Sequence, residues 1–137
     1  MKKRYTLSLV AILIATFAFS TLATACWGQY ADASSEKELE LIAILESDVP
    51  PADKAVPCKL LAVYGSKDAV PALAALLDDP DLASWALIAL EAIPAPEAGV
   101  ALRDALGDLD GLLLVGVINT LAVRQDAEAV DPLISLL

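Results

Sequence analysis

From Leu39 onward the apolar positions recur three or four residues apart, in short runs separated by proline, glycine and aspartate. That spacing predicts helices with one buried stripe, because residues i, i+3, i+4 and i+7 share a face. A first helix is expected behind an N-cap at Ser34 or Ser35, with Leu39, Leu41, Ile42 and Leu45 on its stripe. Ser47-Asp48-Val49-Pro50-Pro51 should end it, since proline cannot continue a helix and restricts the residue before it. Asp53 is expected to cap a second helix reaching Tyr64, with Pro57 near the end of its first turn and Gly65 as a left-handed stop. Asp68 should cap a third helix, Ala69–Leu77, with Pro71 in the first turn, where amides lack partners anyway. The turn Asp78-Asp79-Pro80-Asp81 leads into a fourth, Leu82–Ile93, broken by Pro94-Ala95-Pro96. A fifth is predicted over Glu97–Leu106 and a sixth, capped by Asp108 or Asp110, over Gly111–Val123. A seventh begins at Asp126 and carries Leu133, Ile134, Leu136 and Leu137. No stretch has the alternation of a half-buried strand, so the fold class is all-α.

The odd-numbered helices can be laid over one another. Leu41, Leu73, Leu102 and Leu133 correspond, as do Leu45, Leu77, Leu106 and Leu137, at steps of 32, 29 and 31 residues. The second helix of each pair gives a matching set in Cys58, Leu87 and Ile118, then Leu61, Leu90 and Leu121. A period near 30 built from two antiparallel helices is the signature of an α-solenoid. One such hairpin cannot bury its own apolar face, so stacked neighbours must do it. The reading is an α-α superhelix of about three and a half hairpins over residues 36–137, its fourth repeat incomplete.

The stretch AVPALAALLDDPDLASWALIAL, Ala69–Leu90, resembles the HEAT repeat, specifically the short HEAT-like type of phycobilin lyases (PBS-lyase-type) and secreted bacterial proteins. The resemblance rests on Pro71-x-Leu73, Leu76-Leu77, the Asp79-Pro80-Asp81 turn and Ala86-x-x-Ala89-Leu90. It implies a solenoid whose second helices line the binding face. One departure stands out. Such repeats often carry Val-Arg at the start of the second helix, the Arg tied to neighbouring aspartates; Leu82-Ala83 stands there instead. The family implies fold more than function, because such arrays bind very different partners.

The N-terminus has the layout of a secretory signal peptide: basic MKKR, an uncharged run Tyr5–Ala25, and small residues Ala23-Thr24-Ala25 at its close. Residues 1–25 are therefore expected to be a leader cleaved after Ala25, or after Ala33, with 26–35 as a spacer. Retention as a membrane anchor, or lipid attachment at Cys26, are the alternatives, and the only routes to a membrane. Against the lipid, Leu22 stands four residues before the cysteine rather than three. The expected location is periplasmic or extracellular. Without Lys2, Lys3 and Arg4, six basic residues face nineteen acidic ones, a net charge of −13. Such a surface repels phosphate backbones, which excludes nucleic acid as an electrostatic partner. No disulfide is expected, since Cys58 sits in an apolar helical pattern as a small core residue.

Candidate chemistry is sparse. The chain has no histidine, which removes the usual general base and the commonest metal ligand. It has no Cys-x-x-Cys, Gly-x-Ser-x-Gly or phosphate-cradling loop, so no enzyme, cofactor or metal site is expected. Asp78, Asp79 and Asp81, and the run Asp108–Gly111, read as turn formers rather than calcium ligands. The expected activity is binding of a protein partner through the second helices: Lys59, Trp85, Ile88, Val115 and Asn119, with Lys54, Ser84 and Glu91 beside them. Trp85 can serve as core or as anchor, Trp being over-represented among interface hot spots. Gly111–Ile118 is apolar nearly all round and is expected to be sandwiched between repeats. The apolar C-terminal edge is a second place for docking, by a copy of the chain or another protein. A different reading is an accessory small-ligand or chromophore-handling protein using Cys58, and a third is a fragment of a longer secreted multidomain protein.

Overall fold

Each helix in this chain is too short to be stable alone, and packing between helices replaces length. The computed structural model describes residues 34–137. The expected leader, its cleavage sites, Cys26 and most of the spacer lie outside the described residues. Among the described residues seven α-helices pack in sequence-adjacent pairs: α1 (34–46), α2 (Pro51–Tyr64), α3 (Val70–Ala74), α4 (Ala83–Ala92), α5 (Pro96–Asp104), α6 (Gly111–Val123) and α7 (Val130–Ile134). Short 3-10 turns precede α3 and α7 and follow α5. The even helices form one layer, α2 against α4 and α4 against α6, while α3 packs on α5 in the other. This is the two-layered α-solenoid that the repeat predicts.

The core runs between the layers, on the rows read from the sequence. Leu41, Leu45, Leu73, Leu77, Leu102 and Leu106 are buried from the odd helices, and Cys58, Leu61, Leu87, Leu90 and Leu121 from the even ones. The last row fails: Leu133 is only half-buried and Leu137 is wholly exposed. A Cβ on Gly116 would come within 2.7 Å of Leu87 Cδ1, so glycine there lets α6 lie close on α4.

Several helix ends differ from expectation. Ser34 and Ser35 are already helical rather than capping. α2 begins at Pro51, not after Asp53, because proline at the first helical position lacks only an amide that would be orphaned there. Pro57 consequently lies deeper in the helix, and is buried. Gly65 is extended, φ −71°, rather than left-handed. What it supplies is space, since a Cβ would run into Leu61 O and stand 2.9 Å from Ile93 Cδ1. α3 is shorter than its apolar pattern: beyond Ala74 the chain tightens, with Leu76 N–H donating to Leu73 O and Leu77 N–H to Ala74 O. The 3-10 turn that leads into α3 is capped by Ser66, whose Oγ accepts from Asp68 N–H, and not by Asp68. The Ser66 amide in turn donates to Oε1 of Glu38, a buried carboxylate on α1. Asp126 caps the segment entering α7, accepting from Glu128 N–H, while Asp110 occupies the cap position of α6 without a side-chain bond.

The equivalent positions just past the even helices are Gly65, Pro94 and Gln125, and each stops its helix differently. Gln125 takes the left-handed conformation, φ 54°. Asp126 N–H then donates to Leu121 O and Gln125 N–H to Ala122 O, the paired bonds of a Schellman motif. After α4 the problem is harder. Leu90 O would normally accept from the amide four residues on, but that residue is Pro94. Arg124, at the end of α6, supplies the missing donors: Nη1 donates to Leu90 O and Ile93 O, both at 2.6 Å, and Nη2 to Ala95 O at 3.0 Å. A cation at a helix C-terminus is also favoured by the helix dipole.

A second guanidinium ties α5 to the start of the fourth repeat. Arg103 donates through Nη1 to Asp126 and through Nη2 to Glu128, the latter at 2.7 Å. The Asp126 pair is mostly buried and Glu128 is exposed, so the first contact carries the link. Gly99, one turn before Arg103, makes room: a Cβ there would meet Asp126 Oδ2 at 2.6 Å. In place of the polar ladder that Leu82-Ala83 lacks, Arg103 and Arg124 join consecutive repeats from elsewhere.

Replacing Arg124 by Ala leaves the Leu90 and Ile93 carbonyls unpaired and should cost about 2–3 kcal/mol in urea unfolding, the range for a charged hydrogen-bond donor. Arg124→Lys should recover only part of that, because an ammonium is a point charge without the planar fork. Equal stability of all three chains would remove the clamp from the account of this fold.

Candidate interaction surface

Surface chemistry on the even-helix layer follows from a second stripe. α2 must turn Cys58 and Leu61 inward, so Val56, Lys59 and Val63 fall on the opposite side. α4 buries Ala86, Leu87, Ala89 and Leu90, which turns Trp85, Ile88 and Ala92 outward. α6 buries Val117, Thr120 and Leu121 and exposes Leu112, Val115, Asn119 and Val123. By repeat register Lys59, Ile88 and Asn119 form one row across three adjacent helices, and Val63, Ala92 and Val123 a second. Trp85 stands beside Val56 in a third, with Val115 one position out of register.

The residues expected to bind a partner are all at this surface. Lys59 and Asn119 are exposed, Ile88 is 50% exposed and Val115 51%. Trp85 is 37% exposed, at the border between core and solvent. Ser84 and Glu91 are exposed beside them, and Lys54 is half-buried. The expectation that Gly111–Ile118 is sandwiched does not hold. Leu112 is 88% exposed, and only Val117 of this segment is fully buried, because contact with α4 covers one side of α6. The sequence reading missed Val56, Val63, Leu112 and Val123; a second stripe at Leu112, Val115, Asn119 and Val123, opposite the core stripe, was the signal for them.

Four shallow grooves are present among the described residues, two of them, of about 440 and 210 Å³, beside Gly65–Lys67 and beside Ala74–Asp78. A third, of about 350 Å³, runs between Pro96–Arg103 and Arg124–Glu128, and both of its guanidiniums are already bonded within the chain. The fourth, of about 240 Å³, is apolar and lies at the C-terminal edge among Ile118, Leu121, Ala122 and Leu133. Val130 and Ile134 are exposed beside it, where docking was expected. Among the described residues no group of three or more His, Cys, Asp or Glu side chains could hold a metal ion, and no helix is long and apolar enough to cross a membrane. Asp79 spends Oδ1 on the Asp81 amide at 2.8 Å, as a turn former.

Cys58 is fully buried. Burial pushes its thiol up from an ordinary 9.0 to about 11, against smaller lowering by its own backbone hydrogen bond and by Lys54. The thiol is inert in the folded chain at neutral pH. The folded state keeps it neutral where the unfolded chain would ionise, so its contribution to stability is present below pH 9 and is lost as pH rises towards about 11. With Cys26 replaced by Ser, Cys58 should resist a thiol-specific chromogenic reagent at pH 8 and react at once in denaturant. Fast labelling of the native chain would contradict its burial.

The family profile for HEAT repeats matches residues 38–114. Neither the curated proteins nor the solved structures give a match. The matched region holds the first two hairpins, α5 and the start of α6, with the Asp79-Pro80-Asp81 turn between α3 and α4 at its centre. With more than half of its length matched and seven helices stacked in pairs on a 30-residue register, the chain belongs to the HEAT repeat family.

Proposed function

We propose that the chain is a non-catalytic protein-interaction module that binds its partner on the outward face of α2, α4 and α6. The observation that carries this is the run of exposed apolar side chains, Val56, Val63, Trp85, Ile88, Leu112, Val115 and Val123, on one helical layer of a chain with nineteen acidic residues. Contiguous apolar surface of this kind on a soluble chain marks an interaction site. The absence of histidine and the burial of Cys58 support binding over catalysis. The same burial speaks against an accessory role of the lyase type, which would need a reachable thiol.

We place the module outside the cytoplasm, as a secreted HEAT-like protein of bacterial type. The support is the sequence of residues 1–25, with its basic start, uncharged run and small-residue close. Expressed in a bacterial host, the chain should appear in the osmotic-shock fraction with an N-terminus at Cys26 or Ser34. A full-length mass, or a lipid-sized increment on Cys26, would replace secretion with anchoring.

Ile88 is exposed, so Ile88→Glu should change folding stability by less than about 0.5 kcal/mol. It should nevertheless weaken partner binding by about 2 kcal/mol or more, as loss of a central apolar contact does. A photo-crosslinking residue at position 88 should capture a partner that the same residue at Val100, exposed on α5, does not. Equal capture at both positions would remove the even-helix face as the binding site.

A further inference from the structure

The two edges of the apolar face differ in charge: beside the C-terminal ends of the even helices Glu91 stands with Arg124. The C-terminal ends of the three even helices lie together at one edge, as the Arg124 bonds to the end of α4 and the approach of Gly65 to Ile93 require. Their N-terminal ends therefore share the opposite edge. That edge holds Asp53, Asp79, Asp81, Asp108 and Asp110, with Lys54 as the one base in the same helical turns. Among the described residues the side chains of Asp53, Asp81 and Asp110 make no hydrogen bond, so none of those residues consumes their charge.

The rows themselves have the dimensions of a helix. From Val56 to Val63, and from Trp85 to Ala92, is seven residues. That is roughly 10 Å at the helical rise, close to the diameter of an α-helix with its side chains. Three helices side by side, at about 8–10 Å spacing, span roughly the length of 16–20 helical residues. Asp81 stands one turn from Trp85. A side chain docked over the Trp85 row is then about 6 Å away along the axis, inside the screening distance at physiological salt.

Building on the interaction reading above, we propose that the occupant of this face is an amphipathic helix of a partner protein, lying across α2, α4 and α6. Its apolar stripe covers the Trp85–Ile88–Ala92 rows, and lysines or arginines flank that stripe on the side facing Asp53, Asp81 and Asp110. The apolar rows supply affinity. The aspartate edge fixes which way round the helix lies and rejects an acidic flank, because like charges brought together at an interface select against the wrong partner. A second copy of this acidic chain would set its own aspartate edge against the same face.

The test uses the full chain with Trp27→Phe, so that Trp85 alone reports. Two synthetic peptides of about 18 residues share one leucine-alanine stripe and differ only in a flank of lysines or of glutamates. The lysine peptide should shift Trp85 emission to the blue and bind at least about tenfold tighter than the glutamate peptide at low salt, the gap closing near 0.5 M salt. The triple change Asp53→Asn, Asp81→Asn, Asp110→Asn should erase the difference while leaving apolar binding, and Ile88→Glu should abolish both. Equal binding of the two peptides overturns the charge selection. Failure of both overturns the helical occupant, and crosslinking at position 88 separates this from failure of the interaction reading, since capture there would survive. Light scattering that shows a dimer lost on Ile88→Glu overturns it in favour of a second copy.

Discussion

Helices of five to fourteen residues cannot hold their own backbone bonds in water, and in this chain each borrows stability from the hairpins before and after it. Everything else follows from that dependence. The apolar rows must recur at nearly fixed steps, or a stripe would face nothing. The even helices must approach closely, which is why Gly116 sits against Leu87 and Gly65 against Ile93. Where a helix end has no amide to offer, as at Pro94, a donor must come from the next repeat, and Arg124 provides it. The core and the polar fasteners therefore act along the same axis.

The same constraint shapes the surface. A helix sandwiched between neighbours has one side left for solvent, and on α2, α4 and α6 that side is largely aliphatic. Many of the aspartates are placed instead in the turns, where they serve as cap or turn former, as Asp79 and Asp126 do. Segregating carboxylates into turns and aliphatics onto the even layer gives solubility and an apolar face at once. The negative charge that keeps the chain in solution also borders the site it leaves open.

The core was legible in the sequence because burial imposes a period, and a period can be read without knowing which helices touch. Leu41, Leu73 and Leu102 were placed correctly on that basis alone. The polar fasteners were not legible. Arg103 and Asp126 are 23 residues apart and Arg124 and Leu90 are 34 apart, with no local pattern to announce either. Glu38 looked like an ordinary acidic residue near a helix start, yet it is buried and holds the Ser66 amide. Gly65 was read through backbone conformation when its reason is the room it leaves for Ile93. The binding face was half legible: Trp85 and Ile88 were found, while Leu112 was passed over because the all-round apolar segment Gly111–Ile118 suggested burial.

The three stops at Gly65, Pro94 and Gln125 bear on how such an array can change. They occupy one position in the repeat, yet one provides clearance, one withdraws a donor that the following hairpin must restore, and one turns the chain through a left-handed residue. The hairpins are therefore not interchangeable parts. Duplicating the middle hairpin would copy a proline whose missing amide leaves the Leu90 carbonyl dependent on an arginine one repeat further on, and the inserted copy carries Ile93 where that arginine must stand. This array has an order written into its joints, and it can grow or recombine only where a joint and its fastener travel together.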